Sequence, residues 1–158
     1  MTSPPDRHWL TLLRHAQAMP ARPGQDDFER ALDAYGQQQL QERAAPFVLT
    51  QGTCPVDSCW HSAAVRTTAT ARAFTQALGL PASAVRAERS LYEIAPEELM
   101  DRLRATANTV RHLLVVGHNP TLSSIAWKLA PEAAPHGLMP CDHVTIEVAG
   151  PWAKLGLR

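Results

Sequence analysis

The chain has no excess of charge of either sign, because 15 lysines and arginines balance 15 aspartates and glutamates. This balance excludes the strongly basic surface of a typical nucleic-acid-binding protein, and the sequence contains no polybasic cluster for an anionic membrane. We therefore expect neither nucleic acid nor membrane among the partners. Any anion-binding site has to come from a local concentration of positive charge.

Cysteine is also scarce, with only Cys54, Cys59 and Cys141 in 158 residues. Three cysteines cannot all pair within one chain, and their spacing matches neither a zinc knuckle nor the redox Cys-x-x-Cys pattern. The apolar stretch behind the short polar N-terminus is too brief for a signal sequence or a membrane span. We expect reduced thiols in a cytoplasmic protein.

Strand-like and helix-like segments alternate along the chain. The predicted strands cover residues 9–13, 56–60, 113–116 and 144–148, and the predicted helices cover 37–51, 63–78, 96–107 and 121–130. Pro46 is expected to kink or shorten the first helix. With 45% hydrophobic and 19% charged residues, this alternation predicts a single α/β domain. The predicted architecture of this domain is a three-layer α/β/α sandwich with a mostly parallel central sheet.

Polar side chains follow three of the predicted strands at the point where each strand ends. They are Arg14 and His15, then His61 and Ser62 with Arg66 one turn into the next helix, then His118 and Asn119. Because the carboxyl ends of parallel strands meet at one edge of a sheet, we expect these groups to converge. Guanidinium groups, imidazoles and helix N-termini together suit a tetrahedral anion such as phosphate.

Several of these residues have a second interpretation. Ser62 and Asn119 either cap the following helices or contact the anion, and capping is the preferred role of Asn119. A zinc site is conceivable from one cysteine and three histidines, namely Cys59, His15, His61 and His118. The neighbouring arginines would repel a dication, so we expect no metal and no cofactor. For His61 we favour a pocket-edge or packing role over a role in the chemistry.

Residues 16–36 form a predicted loop directly behind Arg14 and His15. Long loops in compact domains tend to be functional. Asp27 and Arg30 in this loop have two interpretations. Either an ion pair between them ties the loop down, or Arg30 turns toward the phosphate pocket.

The sequence Leu13-Arg14-His15-Ala16 resembles the Arg-His-Gly/Ala signature of the histidine phosphatase superfamily, also called phosphoglycerate mutase-like. Three further family motifs follow in order: Ser62-x-x-x-Arg66-x-x-x-Thr70-Ala71, Leu91-x-Glu93 and Val116-Gly117-His118-Asn119-Pro120. The segment Asp27-x-x-Arg30-x-Leu32-x-x-x-Gly36 and the small size resemble the compact SixA-type phosphohistidine phosphatases. The resemblance covers about residues 9–148, within one domain expected over 1–158. Ala63 departs from the proline that is usual there, and His61 replaces a small residue.

This resemblance implies a role for each matched residue. His15 would be the nucleophile and would carry the phosphoryl group as a phosphohistidine intermediate. Arg14 and Arg66 would hold the phosphoryl oxygens, and His118 would donate to the same oxygens. Glu93 would be the general acid for the leaving group and then the base for water, unless it is only a surface residue of its loop.

The sequence thus predicts a metal-independent phosphatase, and the resemblance favours a phosphohistidine-bearing protein as substrate. A mutase is disfavoured, because the family's mutases use insertions to enclose a sugar phosphate. Two alternatives stay open: a phosphatase of small phosphomonoesters, and a non-catalytic module that binds phosphate or a phosphoprotein. His15 and His118 argue against the binding module, since a pure binder needs neither.

Overall fold

A computed structural model of the chain describes residues 6–157. Five strands form one sheet: β1 (Arg7–Arg14), β2 (Ser58–Ser62), β3 (Val85–Glu88), β4 (His112–Gly117) and β5 (His143–Ala149). Their order is β3-β2-β4-β1-β5, and only the β1–β5 pair is antiparallel. The predicted mostly parallel sheet is confirmed. Residues 1–5 and 158, which belong to the predicted domain, lie outside the described residues.

Four α-helices cover the two faces of the sheet: α1 (Ala34–Leu49), α2 (Val65–Leu78), α3 (Pro96–Arg104) and α4 (Thr121–Leu129). Successive strand residues point to opposite faces, so Leu12 packs in the cluster under α3 and α4, while Leu13 packs in the cluster under α1 and α2. The predicted three-layer sandwich is therefore confirmed. Within residues 6–157, no helix is both long enough and apolar enough to span a bilayer.

The ends of the helices follow from local sequence signals. Gly79 closes α2 in the left-handed conformation at φ +70°, which a residue with a side chain rarely adopts. Pro96 is the first residue of α3, where its missing N–H costs no hydrogen bond. Asp33 caps α1 by accepting a 2.7 Å hydrogen bond from the Gly36 N–H, so this helix starts three residues before the predicted residue 37.

Of the two effects expected of Pro46, a kink or a shortening of the first helix, the shortening at Pro46 does not occur. The helix α1 continues through Pro46 to Leu49. Pro46 is exposed to solvent and lies in the last turn, so water can bond to the carbonyl group that the proline leaves without an N–H partner.

The strand β3 is absent from the predicted elements. It has only four residues, Val85–Glu88, and none of them is fully buried, so it lacks an apolar run. Backbone pairing with β2, from Cys59 opposite Val85 to Ser62 opposite Glu88, defines it as an edge strand.

Candidate active site

The carboxyl ends of β1, β2 and β4 lie side by side. Arg14 is opposite Gly117 in the parallel register of β1 and β4, and the His15 N–H donates to the Gly117 carbonyl oxygen over 3.2 Å. The ring centroids of His15 and His118 are consequently 5.4 Å apart. From β2, Ser62 Oγ lies 2.8 Å from His118 Nε2. The sheet topology thus gathers His15, Ser62 and His118 into one cluster, whereas His61, which was expected to converge with them, lies elsewhere.

His15 is held in one tautomer by the backbone. Its Nδ1 lies 2.7 Å from the Ala16 carbonyl oxygen, which only accepts, so Nδ1 carries the proton and Nε2 keeps its lone pair. The residue is 7% exposed. Burial lowers the pKa of His15 to about 4, and the positive charges of Arg66, Arg14 and Arg30 act in the same direction. A neutral imidazole with a free Nε2 is a competent nucleophile at neutral pH.

Thr70 on α2 connects the backbone of Ala16, whose carbonyl oxygen holds the His15 imidazole, to the backbone of Arg66. Its hydroxyl oxygen accepts a 3.0 Å hydrogen bond from the Ala16 N–H, and its O–H donates to the Arg66 carbonyl oxygen over 2.8 Å. Thr70 is fully buried. It lies one turn after Arg66, so its position in the Arg66-x-x-x-Thr70 motif explains why one helix can fix both the arginine and the backbone that anchors His15.

His118 is the second imidazole of the cluster. Within residues 6–157 the only hydrogen-bond acceptor near the Ser62 hydroxyl is His118 Nε2, so the hydroxyl donates to it and the ring proton sits on Nδ1. That Nδ1 is buried and has no hydrogen-bond partner in the described residues. Burial, assisted by Arg66 and His15, lowers the pKa of His118 to about 3. The ring is therefore a neutral N–H donor at neutral pH.

Arg14 and Arg66 bring two guanidinium groups to the same cluster. Arg14 Nη1 donates to the Leu138 carbonyl oxygen over 3.0 Å, and Arg66, which is 5% exposed, donates through Nη1 and Nη2 to Asp27. The Nε atom of each arginine is buried without a partner in the described residues. Burial lowers the pKa of Arg14, Asp142 counteracts this shift, and Arg66 adds to it. Each of these two guanidinium groups therefore keeps an N–H donor that is available to a bound anion.

Asp27 closes one side of the cluster from the loop before α1. Its backbone oxygen accepts from Arg66 Nη1 at 2.7 Å, and its carboxylate accepts from Arg66 Nη2 at 3.0 Å, from Arg30 Nε at 2.7 Å and from the Tyr92 hydroxyl. The hydrogen bond from Tyr92 and those from the two arginines hold the pKa of Asp27 well below its usual range. Of the two interpretations of Arg30, the ion pair is the one observed, and Arg30 also donates to the Met19 carbonyl oxygen over 2.8 Å.

The contact between Asp27 and Arg66 was not predicted from the sequence. The ion pair between Asp27 and Arg30 was one of two interpretations that the sequence left open, but nothing local connects Asp27 to an arginine 39 positions away. The same holds for Tyr92, whose ring packs edge-on against His118 at 5.4 Å between centroids.

Glu93 is exposed, and it has no hydrogen bond or ion pair within the described residues. It lies on the wall of a cleft of about 360 Å³ that His118, Asn119 and Tyr92 also line. The carboxylate is thus beside the histidine cluster but not bonded to it.

The structure also gives the positions and contacts of three other residues that the sequence analysis considered for the site. Asn119 Oδ1 accepts from the Ser123 N–H at 3.2 Å in the first turn of α4, and its Nδ2 donates to the Leu138 carbonyl oxygen over 2.8 Å. Ser62 is fully buried against His118. His61 points to the other side of β2, where its ring lines a separate cavity under α2 together with Arg72.

Among residues 6–157, no group of three or more His, Cys, Asp or Glu side chains is placed to hold a metal ion. The conceivable zinc set is divided, because His61 and Cys59 face α2 while His118 contacts Ser62 on the opposite face. Burial also raises the pKa of the Cys59 thiol to about 12, which disfavours the thiolate that zinc requires.

Three solved structures show what the chain is similar to. A candidate phosphohistidine phosphatase SixA from Agrobacterium tumefaciens is 26% identical, with a TM-score of 0.77 over 90% of this chain and 92% of that one. A candidate SixA from Nakamurella multipartitia is 26% identical, with a TM-score of 0.71 over 95% and 90%. The protein histidine phosphatase SixA complexed with tungstate shares the fold at 20% identity, with a TM-score of 0.72 over 87% and 86%.

No family model matches the sequence, and no curated protein matches it. The similarity is therefore one of three-dimensional structure. It confirms the predicted phosphoglycerate mutase-like fold and the predicted resemblance to the SixA-type phosphatases.

Proposed function

We propose that this chain, which has the fold of the histidine phosphatase superfamily, is a metal-independent phosphatase that forms a phosphohistidine on His15 Nε2. One observation carries the proposal. A neutral, buried His15 with a free Nε2 lies in a cluster where three nitrogen donors are buried without a partner in the described residues. They are the Nε groups of Arg14 and Arg66 and Nδ1 of His118.

A phosphoryl group supplies hydrogen-bond acceptors for these three donors. Its non-bridging oxygens accept from the two guanidinium groups and from His118 Nδ1–H, and the double negative charge balances the two arginines. The imidazole of His15 then faces phosphorus with its lone pair. Phosphoryl transfer requires mainly this positioning and charge stabilisation.

The reaction proceeds in two displacements. In the first, His15 Nε2 forms a bond to phosphorus, the bond from phosphorus to the leaving atom breaks, and a proton held by Glu93 moves to that atom. In the second, water attacks phosphorus, its proton passes to Glu93, and the bond between Nε2 and phosphorus breaks, which releases inorganic phosphate. The exposed position of Glu93 on the cleft beside His118 supports this assignment.

Ser62 and Asn119 act by positioning in this proposal. The Ser62 hydroxyl sets the tautomer of His118, and Asn119 fixes the start of α4 to the loop that carries Leu138. Both side chains direct their bonds at protein groups, so Arg14, Arg66 and His118 make the contacts to phosphate.

The proposed substrate is a protein that carries phosphohistidine. Two structures at 26% identity that are candidate phosphohistidine phosphatases support this choice over a small phosphomonoester. The same fold also occurs in a glucosyl-3-phosphoglycerate phosphatase and an ecdysone phosphate phosphatase, at 16% and 14% identity, which shows the fold alone.

A trapping experiment tests the proposal. The protein is mixed with a phosphohistidine-bearing protein or with an aryl phosphate, quenched in alkali and examined by mass spectrometry, beside the variants His15→Ala and His136→Ala. His136 is exposed and outside the cluster, so its variant is the matched control. We expect an acid-labile phosphate on His15, with turnover lost only in His15→Ala.

The faster of the two donors identifies the substrate class. If folded wild-type protein forms no adduct and hydrolyses neither donor, the phosphatase proposal is wrong. Retained phosphate affinity in both variants would then favour the non-catalytic binding module.

A further inference from the structure

A cleft of about 360 Å³ opens beside the proposed phosphate-binding residues Arg14, His15, Arg66 and His118, which we call the phosphate cluster. One wall is the segment 91–96, which precedes α3 and ends at its first residue. The other wall is the segment 117–122, which leads into α4. Its floor is formed by Leu99, Val115 and Leu122, which belong to the buried core under α3 and α4. Most of its lining is therefore apolar, and it reaches from the surface down to the core.

The cleft is continuous with the phosphate cluster through two shared residues. His118 lines the cleft and carries the unpartnered Nδ1. Tyr92 lines the cleft as well. The centroid of its ring lies 5.4 Å from the centroid of the His118 ring and 5.9 Å from Arg66 Cζ. A phosphoryl group bound between Arg66 and His118 therefore has the cleft as its neighbour on the Tyr92 side.

The walls of the cleft are fixed by a hydrogen bond across it. The Thr121 hydroxyl donates to the Ile94 carbonyl oxygen over 2.6 Å and so joins the first residue of α4 to the opposite wall. Because this contact fixes the two walls relative to each other, the cleft is preformed, as ligand pockets usually are.

The mouth of the cleft carries the exposed carboxylate of Glu93. In contrast, Ile94 and Leu122 in the lining are buried. A ligand that fits has an apolar body inside and its reacting atom at the mouth, within reach of the Glu93 carboxyl group. This is the arrangement that a leaving group needs, because the atom that departs from phosphorus takes a proton there.

We infer that this cleft is the leaving-group subsite, and that it selects substrates whose phosphoryl group is attached to or next to an apolar body. The inference rests on the proposed function, and it adds a substrate class: an aryl or branched aliphatic group, either in a small phosphate or as the side chain beside a phosphorylated histidine. An apolar pocket distinguishes ligands that differ by one methylene group by about 10-fold to 200-fold.

The test blocks the cleft without touching the phosphate cluster. Ala95 is exposed, lines the mouth, and has an extended backbone (φ −73°, ψ 152°) that accepts any side chain. Ala95→Phe fills the cleft with a ring. Ala107→Phe places the same ring at an exposed position beyond the opposite end of α3, as the control.

Two donors are compared, because the ratio of variant to wild type cancels their different intrinsic reactivities. The donor 1-naphthyl phosphate has a large apolar leaving group, whereas phosphoramidate releases ammonia. We expect Ala95→Phe to lower kcat/KM for 1-naphthyl phosphate by about 10-fold or more and for phosphoramidate by less than about twofold. Ala107→Phe should leave both values within about twofold.

Equal effects of Ala95→Phe on the two donors, or no effect on either, would overturn the inference. Normal hydrolysis of phosphoramidate shows that the variant is folded. If the wild type hydrolyses neither donor, the proposed function itself has failed, so the two failures are distinguishable.

Two phosphohistidine peptides identify the source of the apolar group. One carries leucine beside the phosphohistidine and the other carries serine. A wild-type preference for the leucine peptide that disappears in Ala95→Phe supports a protein side chain in the cleft. Equal rates on the two peptides, with 1-naphthyl phosphate still sensitive to Ala95→Phe, support a small phosphate instead.

Discussion

Asp27 holds Arg66 by two hydrogen bonds, from Nη1 to its backbone oxygen at 2.7 Å and from Nη2 to its carboxylate at 3.0 Å. A guanidinium group has five N–H donors, and these two bonds use one N–H from each of the two terminal nitrogens, Nη1 and Nη2. The edge formed by Nε and the second Nη2 hydrogen is left for another acceptor, and Nε is buried without a partner in the described residues. Asp27 thus determines which edge of Arg66 is left without a protein partner within the described residues.

The first prediction concerns this orientation. Asp27→Ala removes the carboxylate contacts, so Arg66 rotates away from the pocket and KM for an aryl phosphate should rise about 10-fold, with a smaller change in kcat. Asp27→Asn keeps a side-chain oxygen and should recover part of the affinity. Steady-state kinetics of both variants are compared with Glu29→Gln, which removes an acidic group that has no partner within the described residues. An unchanged KM in Asp27→Ala would contradict the positioning role.

The second prediction concerns pH. Burial lowers the pKa of His15 to about 4 and that of His118 to about 3, so both rings should stay neutral from about pH 8 down to about pH 5. Imidazole chemical shifts followed by NMR should be flat over that range. A titration midpoint near the ordinary value of about 6.5 for either ring would show that burial in the site does not lower the pKa of that ring.

These two histidines also contribute to how stability depends on pH. The unfolded chain protonates them at about pH 6.5, whereas the folded chain binds the proton only near pH 4 or below. Between these values the unfolded state holds more protons, so the free energy of unfolding should fall as the pH decreases. Urea titrations at several pH values check the sign. The slope over this interval should become shallower in the variant His15→Ala, which lacks one of the two groups.

The third prediction concerns Glu93. If this residue supplies the proton to the leaving group, Glu93→Gln should lower kcat/KM for a phenyl phosphate by about 100-fold. Phosphoramidate already carries its proton on nitrogen and should be hardly affected. Glu97→Gln in the first turn of α3 is the matched control, since it removes an exposed carboxylate nearby. Equal losses on the two donors would assign Glu93 a structural role instead.

Much of the site could be predicted because its signals are local in the sequence. The apolar run before Arg14 and the run before His118 mark buried strands, and parallel strands deliver their carboxyl ends to the same edge. Gly79 and Pro96 mark helix ends in the same local way. The convergence of His15 and His118 then follows from sheet topology alone.

The parts that were not predictable depend on contacts between distant residues. The pairing of β3 with β2 is set by backbone bonds at the sheet edge, whatever its side chains are. The contact between Asp27 and Arg66 depends on the path of a loop that several partners hold, including the bond from Arg30 to the Met19 carbonyl oxygen. The continuation of α1 past Pro46 depends on solvent at the exposed side of the helix.

The fourth prediction concerns Gly36, in the first turn of α1. A Cβ atom there would lie 2.1 Å from the Gln17 carbonyl oxygen, so the helix and the segment after His15 are in direct backbone contact. Replacing glycine by alanine within a helix normally stabilises it by about 1 kcal/mol. Here the clash should reverse the sign, and Gly36→Ala should lower the free energy of unfolding by about 1–3 kcal/mol.

The same variant should also reduce activity. The backbone that Gly36→Ala displaces includes Gln17, next to the Ala16 carbonyl oxygen that holds Nδ1 of His15, so the nucleophile should lose its fixed orientation. Urea unfolding and kcat/KM are measured together with Gln37→Ala, an exposed neighbour on α1 whose change should stay within about 0.5 kcal/mol. If Gly36→Ala is more stable than the wild type and equally active, the close approach between α1 and the segment after His15 does not constrain the site.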